Sequence, residues 1–284
     1  MLKKISLILS KILIFSNKFF FFFFKKNFIY FLQESLRNNS ITNIYYEGKK
    51  YKFFTPSNLA YWRAKTFDTK EPETLNWIKN FDDNSVFWDI GSNVGTYSIY
   101  AAKIKARTQI VAFEPSGLNL GILQKNINLN KLNDKIKIIP FALTKKPNTF
   151  LTMFESSEEE GGALSSFGDD KGFDGKKMNF ISKYKLFGTS INSIIKNRAL
   201  KTPNYIKIDV DGKEHIILEG STKILKNKTL RSLLIEINEN YTDQFKKIKK
   251  IMKQNSFILY NKFISKHALN SRFDKSFNYI FNKK

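Results

Sequence analysis

The sequence predicts an α/β fold: a doubly wound, mostly parallel sheet preceded by an apolar and basic helical leader. Three observations carry this reading. From residue 86 onward, short apolar runs alternate with helix-like segments. Several of those runs are apolar throughout, as strands become when helices cover both faces of a parallel sheet. The first run, Val86–Ile90, passes through Gly91 and Gly95 into a helix-like segment, and a strand–turn–helix unit of this kind holds nucleotide-like ligands.

Residues 1–40 form the leader. Phe19–Phe24 is unbroken phenylalanine, and Lys4, Lys11, Lys18 and Lys25 recur at every seventh position, which sets them along one stripe of a helix. Ile5–Phe24 is long enough to span a bilayer. Lys11 and Lys18, however, each cost about 2.5–3.5 kcal/mol near the membrane centre. An in-plane helix with lysines at the headgroups and phenylalanines among the acyl chains matches better. Lys11 also breaks any signal-peptide apolar region, and no small-residue cleavage site follows. Residues 1–32 are therefore expected to touch a membrane surface, with a leader that only caps the domain as the competing reading. The expected location is cytoplasmic, peripheral at the membrane.

Residues 41–80 read as a lead-in. Tyr45–Phe54 is aromatic and β-branched and suits a hairpin around Glu47-Gly48. Glu71-Pro72-Glu73 opens a helix through Phe81, with proline at its start and acids in its first turn. Residues 81–284 form the main domain. Its strands are expected at Val86–Ile90, Gln109–Phe113, Lys137–Phe141, Tyr205–Asp209, Ser232–Ile237 and Phe257–Tyr260. Its main helices are expected at Thr96–Lys105, Leu118–Asn130, Glu214–Leu218 and Asp243–Gln254, and Phe277–Phe281 makes a last strand. The alternation stops between Thr144 and Leu186, where Glu158-Glu159-Glu160-Gly161-Gly162 leads into a Gly/Asp/Lys-rich run to Lys177. A loop at 145–185 is expected, either a flap over the pocket or a disordered segment.

Composition excludes several classes of function. With no cysteine, disulfides and thiolate metal sites are out, and His215 and His267 cannot make a multi-histidine site. No metal is expected. Forty-eight Lys and Arg against 25 Asp and Glu give a net charge of +23, which points toward nucleic acid or an anionic membrane. Nearly all the cations are lysines, and Lys, Asn, Ile and Phe are over-used together. AT-rich codons impose that bias without any partner. No nucleic-acid motif accompanies the charge, so a nucleic-acid partner is not expected.

The glycine turn identifies the ligand class. A dinucleotide fingerprint needs three glycines, but its positions here hold Gly91, Asn93 and Thr96. The spacing that fits is D-x-G-x-N-x-G, from Asp89 to Gly95. The second strand ends in Glu114-Pro115, about 20 residues on, where an acid can accept hydrogen bonds from both ribose hydroxyls. An ordinary turn beside a surface glutamate is the plain alternative.

Three segments resemble FkbM-type methyltransferases: Asp89-Ile90-Gly91-Ser92-Asn93-Val94-Gly95, Phe113-Glu114-Pro115, and Lys207-Ile208-Asp209-Val210-Asp211-Gly212-Lys213-Glu214. These are class I, S-adenosylmethionine-dependent enzymes that mostly O-methylate sugars or natural products. The resemblance runs from about Glu71 to the C-terminus. It implies the seven-stranded, Rossmann-like class I methyltransferase sheet with Phe277–Phe281 inserted antiparallel, and S-adenosyl-L-methionine as cofactor. Asp89 would orient the amino-acid end of the cofactor. The turn from Gly91 to Gly95, with Ser92 and Asn93, would back its carboxylate. Glu114, followed by Pro115, would hold the ribose, and Phe141 and Ala142 would neighbour the adenine. The family also carries an acid-Pro segment upstream, so Glu71 could lie near the cofactor; a helix-capping acid is the competing role. Two positions depart from the pattern: Asp211, where the family usually has Glu, and Asn192, where it usually has Asp.

Methyl transfer from a sulfonium requires alignment of acceptor oxygen, methyl carbon and sulfur, and removal of the acceptor's proton. Ligands of open α/β sheets lie beyond the carboxyl ends of the strands, so Asp89, Glu114 and Asp209 should converge on one crevice. Lys207 and Asp209 share a strand face, and Asp211 and Glu214 follow closely. They read either as a salt bridge with helix-capping acids, or as a site in which Asp209 or Glu214 is the general base or the acids bind a cation or sugar hydroxyls. Asp209 leads because a strand end is fixed in position. Glu236 is a further candidate, His215 reads as structural, and His267 receives no role. The expected protein is a methyltransferase acting on a sugar, glycan or lipid-linked small molecule. Its rivals are a nucleic-acid methyltransferase and a non-catalytic membrane-associated module on the same fold.

Overall fold

The leader is helical because nothing in it stops a helix before Lys25. α1 (Leu2–Phe24) ends where Lys25 turns left-handed at φ 55°, and after Asn27 the chain enters α2 (Phe28–Asn39). Asn17 ties the two together: its Oδ1 accepts the Ile29 N–H at 3.0 Å and its Nδ2 donates to Asn27. No side chain of either helix is buried, and α1 is long and apolar enough to cross a membrane. The computed structural model describes residues 1–198 and 200–284, and its contacts divide into two units, Met1–Ile41 and Thr42–Lys284.

The larger unit opens with a hairpin, β1 (Ile41–Tyr46) and β2 (Lys49–Phe54). Glu47 and Gly48 both have positive φ, the two-residue turn that matches strand twist. Next come α3 (Asn58–Lys65) and α4 (Pro72–Lys79). The core continues as β3 (Val86–Ile90), α5 (Thr96–Ile104), β4 (Gln109–Phe113), α6 (Gly117–Leu129) and β5 (Ile136–Ile139). β6 (Ala142–Leu143), β7 (Thr149–Glu155), β8 (Ser166–Phe167) and β9 (Ser182–Thr189) follow, then α7 (Ile191–Lys196) and β10 (Tyr205–Ile208). The chain ends through α8 (Glu214–Glu219), α9 (Thr222–Lys226), β11 (Ser232–Asn238), α10 (Thr242–Gln254), β12 (Phe257–Phe263) and β13 (Ser276–Lys283).

Seven strands form one sheet in the order β12-β13-β11-β10-β3-β4-β5. β3, β4, β5, β10 and β11 run parallel, and β13 is antiparallel to both neighbours. This is the doubly wound, seven-stranded class I arrangement, with the last strand inserted as expected. Alternation sends Phe87 and Ile110 to one apolar layer and Trp88, Val111 and Ile208 to the other. Strand order reverses beside β3, the switch point where open sheets bind ligands. Asp89 there stands in register with Lys207.

Two expectations are corrected. The third strand stops at Ile139, because Pro140 has no N–H to extend the ladder. Phe141 lies outside it, and Ala142 begins β6 in another sheet. Residues 145–185 are not a loop: β6, β9, β7 and β8 form a second, four-stranded sheet. β7 and β9 pair antiparallel from Thr149 opposite Gly188 to Glu155 opposite Ser182. A Cβ on Gly188 would come within 2.6 Å of the Phe167 ring, so glycine lets β8 lie against the ribbon.

Candidate active site

The turn after β3 is shaped by close approach. At Gly91, with φ +83°, a Cβ would lie 1.8 Å from the Asp209 carbonyl oxygen. Only glycine lets the ends of β3 and β10 meet there. The Gly91 and Ser92 N–H groups both donate to the Phe113 carbonyl at 3.0 Å, and Asn93 adopts φ +50°, a conformation asparagine tolerates. The turn is thereby clamped to the end of β4.

Glu114 closes the clamp. Its Oε2 accepts the Asn93 N–H at 2.7 Å and its Oε1 the Ser116 N–H at 3.0 Å. Burial pushes its carboxyl up to about 7, against the pull of those donors. At the end of β10, Lys207 Nζ lies 2.6 Å from Asp209 Oδ2. Lys207 is only 1% exposed. Burial acts to lower its pKa, but Asp209, Glu71 and Asp89 surround it and hold it above the ordinary lysine range. Glu71 pairs with Lys70 at 2.9 Å. Burial opposes its ionisation, yet Lys70 and Lys207 hold its carboxyl down at about 2.

Two cavities meet at this edge. The larger, about 500 Å³, is lined by Glu71, Tyr97, Lys207, Asp209, Asp211 and Glu236 among others. The smaller, about 90 Å³, is lined by Glu114, Pro115, Phe141, Ala142 and Val210 among others. Gly91, Asn93, Asp209 and Asp211 wall both. The smaller falls below the roughly 300–1,000 Å³ of a ligand pocket because a segment of the insertion roofs it. Asn93 and Asn119 both donate to the Gly162 carbonyl, at 2.6 and 3.2 Å, and Asn119 accepts the Gly161 N–H.

Most residues singled out in the sequence come together here: Ser92 lines the larger cavity, and Glu114, Pro115, Phe141 and Ala142 the smaller. Three do not. Asp89 is fully buried behind the turn and lines neither cavity. One more strand residue, Ile90, follows it, and the turn folds back over it. Its Oδ2 accepts from Ser98 at 2.6 Å, and its Oδ1 has no donor. Gly95 begins α5 and packs instead against Leu123, whose Cδ1 would lie 2.5 Å from a Cβ there. Glu214 also lines neither cavity. Its oxygens accept the Val210 and Gly212 N–H groups and the Gln244 amide, so it positions the turn that carries Asp211.

Asp211 is left-handed at φ +54° and accepts the Leu164 N–H at 2.7 Å. Glu71 starts α4, yet its side chain makes no cap hydrogen bond and faces the larger cavity, so the capping role falls away. Arg63, Lys70, Tyr97 and Trp62 line that cavity without having been singled out. His267 does too, its ring edge-on to Trp62 at 5.6 Å. Only the adjacency of Lys70 to Glu71-Pro72 signalled any of these in the sequence. His215 lines neither cavity: burial lowers its pKa to about 4, and its ring packs on Tyr241.

Residues 89–259 match the profile of the methyltransferase FkbM domain. The chain is similar to the hexuronic acid methyltransferase AglP of Haloferax volcanii, 20% identical over 192 residues, which is 67% of this chain and 72% of that protein. It is also similar to methyltransferase sdnD of Sordaria araneosa, 31% identical over 78 residues, covering 27% of this chain and 30% of that protein. Among solved structures it resembles M. jannaschii TYW2 in complex with AdoMet, with a TM-score of 0.44 and 16% identity, covering 86% of this chain and 87% of that one.

Proposed function

Because this chain belongs to the FkbM family of S-adenosylmethionine-dependent methyltransferases, we propose that it methylates a hydroxyl of an acidic sugar, free or lipid-linked, held in the larger cavity. One observation carries the reading: Asp209 walls both cavities, so one carboxylate can face donor and acceptor together. S-adenosylmethionine supplies an electrophilic methyl on its sulfonium. Glu114 takes the ribose hydroxyls, Pro115, Phe141 and Ala142 flank the adenine, and Gly91–Asn93 bring backbone close to the amino-acid end. The orphaned Oδ1 of Asp89 lies behind that turn and draws positive charge toward it. As the methyl carbon–sulfur bond breaks, leaving the neutral thioether, and the oxygen–carbon bond forms, Asp209 would hold the acceptor hydroxyl and take its proton, with Lys207 fixing the carboxylate.

The acidic sugar is supported by Arg63 and Arg272, which bring cations to the larger cavity, and by Trp62, a flat apolar surface for a sugar ring. The Haloferax relative, by its name, methylates a hexuronic acid. The test is to incubate the protein and labelled cofactor with nucleotide-linked uronic acids, neutral sugars and lipid-linked glycans. Label should enter the acidic sugars first, and label in none of them would defeat the proposal. Asp209→Asn should cut turnover by at least about 100-fold while cofactor affinity stays within a few-fold. The +23 charge favours a second reading, a nucleic-acid acceptor; label in RNA and steeply salt-dependent binding would select it.

A further inference from the structure

We infer that Asp209, Asp211 and Glu236 hold a divalent cation, which binds the acceptor hydroxyl beside the methyl donor. This rests on the methyl-transfer reading above and adds a ligand to it. The three carboxylates come from the end of β10, the left-handed turn after it and β11, and one oxygen from each lies within 4.8 Å of the others. Their protein partners leave charge over. Asp209 has Lys207, Asp211 has one backbone N–H, and Glu236 accepts no hydrogen bond from a described residue.

An independent feature points to the same ligand. Asn278 on β13 stands opposite Glu236 in register, so both side chains project from one face of the sheet. Asn278 is 4% exposed, lines the same cavity, and its Oδ1 has no donor. An amide oxygen left without a donor, opposite Glu236 and in the cavity the three carboxylates share, suits a cation. The set is all oxygen, with no thiolate or imidazole, and such a set suits Mg²⁺, Ca²⁺ or Mn²⁺ over Zn²⁺ or Cu²⁺. Of these, Mg²⁺ and Mn²⁺ fit one open side, where an acceptor hydroxyl can complete the shell. Bound there, the hydroxyl would be more acidic and would give up its proton more readily to the ion-paired Asp209.

The test is Mn²⁺ titration of the full chain, followed by the loss of the free-ion electron paramagnetic resonance signal, with Mg²⁺ as competitor. The expected result is saturable binding that Mg²⁺ displaces, weakened at least about tenfold in Glu236→Gln and in Asp211→Asn. Melting curves check that both variants fold. Calorimetry should show their cofactor affinity within a few-fold of the parent. Mn²⁺ binding unchanged in both variants, or none in the parent, overturns the site. Sugar methylation that persists in excess chelator also overturns it and leaves the methyl-transfer reading intact. Mn²⁺ binding at these residues with no sugar methylated supports the site and defeats that reading instead.

Discussion

At Gly91 a missing methyl group decides whether two strand ends can meet. A Cβ there would overlap the Asp209 carbonyl, a backbone atom that cannot move aside, whereas at Gly95 the obstacle is the flexible tip of Leu123. Gly91→Ala should therefore cost roughly 3 kcal/mol or more and abolish cofactor binding, and Gly95→Ala roughly 1–2 kcal/mol with much less effect on affinity. Denaturant titration and calorimetry check both; equal losses of affinity would contradict the different placement of the two glycines. Charge at the site gives a second prediction. Glu114 and Glu214 have native pKa values of about 7 and Asp211 of about 6, all above their unfolded values. The native state thus binds more protons, and their stabilising contribution is whole below about pH 4 and lost as pH rises through 6–7. Glu71, held at about 2, contributes steadily above that range. The chain without cofactor should lose stability between about pH 5 and 8, on the order of 1–2 kcal/mol per group. A melting temperature that rises over this range would refute the assignment.

At the scale of elements, legibility followed burial. β3, β4, β10 and β11 are covered on both faces, so each is an apolar run and its ends are readable to within a residue or so. The carboxylates after β4 and β10 could be placed for the same reason. The depth of Asp89 could not, because it depends on the turn folding back and on Ser98 reaching it from α5. β7 and β9 were illegible because their outer faces meet solvent: Ser182-Lys183-Tyr184-Lys185 is largely exposed, and the glycine- and acid-rich stretch between the two strands reads as linker. That stretch is ordered by partners far off in sequence. Glu159 accepts the Leu59 N–H at the start of α3, Ser57 donates to the Glu160 carbonyl, and Arg63 donates to the Gly161 carbonyl. The residues of the larger cavity that were missed, Arg63, Lys70 and His267 among them, come likewise from outside the strand–helix alternation. Since Gly162 lines the smaller cavity, whose volume of about 90 Å³ is below that of an ordinary ligand pocket, this segment should shift when a nucleoside enters. Hydrogen exchange at residues 160–164 should therefore change when cofactor is added, while exchange in β7 stays constant; no change at the roof would mean that the nucleoside lies elsewhere.

For the chain as a whole, the leader raises the question of whether it lies on a bilayer or crosses one. α1 passes the length and composition test for a span, but Lys11 and Lys18 sit within it. Each costs about 2.5–3.5 kcal/mol at the membrane centre, where a leucine contributes about −0.5. Replacing both lysines with leucine thus swings insertion by roughly 6–8 kcal/mol, enough to convert an interfacial helix into a spanning one. The lysines also supply attraction to anionic headgroups, about 1 kcal/mol each near the surface and screened by salt. We propose that α1 lies in the interface. The full chain should then sediment with vesicles containing phosphatidylserine, far less with neutral vesicles, and be released by high salt or alkaline carbonate. Lys11→Leu/Lys18→Leu should sediment with both kinds and resist carbonate. If the parent chain already resists carbonate, the helix spans despite its lysines; if it binds neither vesicle, the leader serves no membrane and its phenylalanines need another partner.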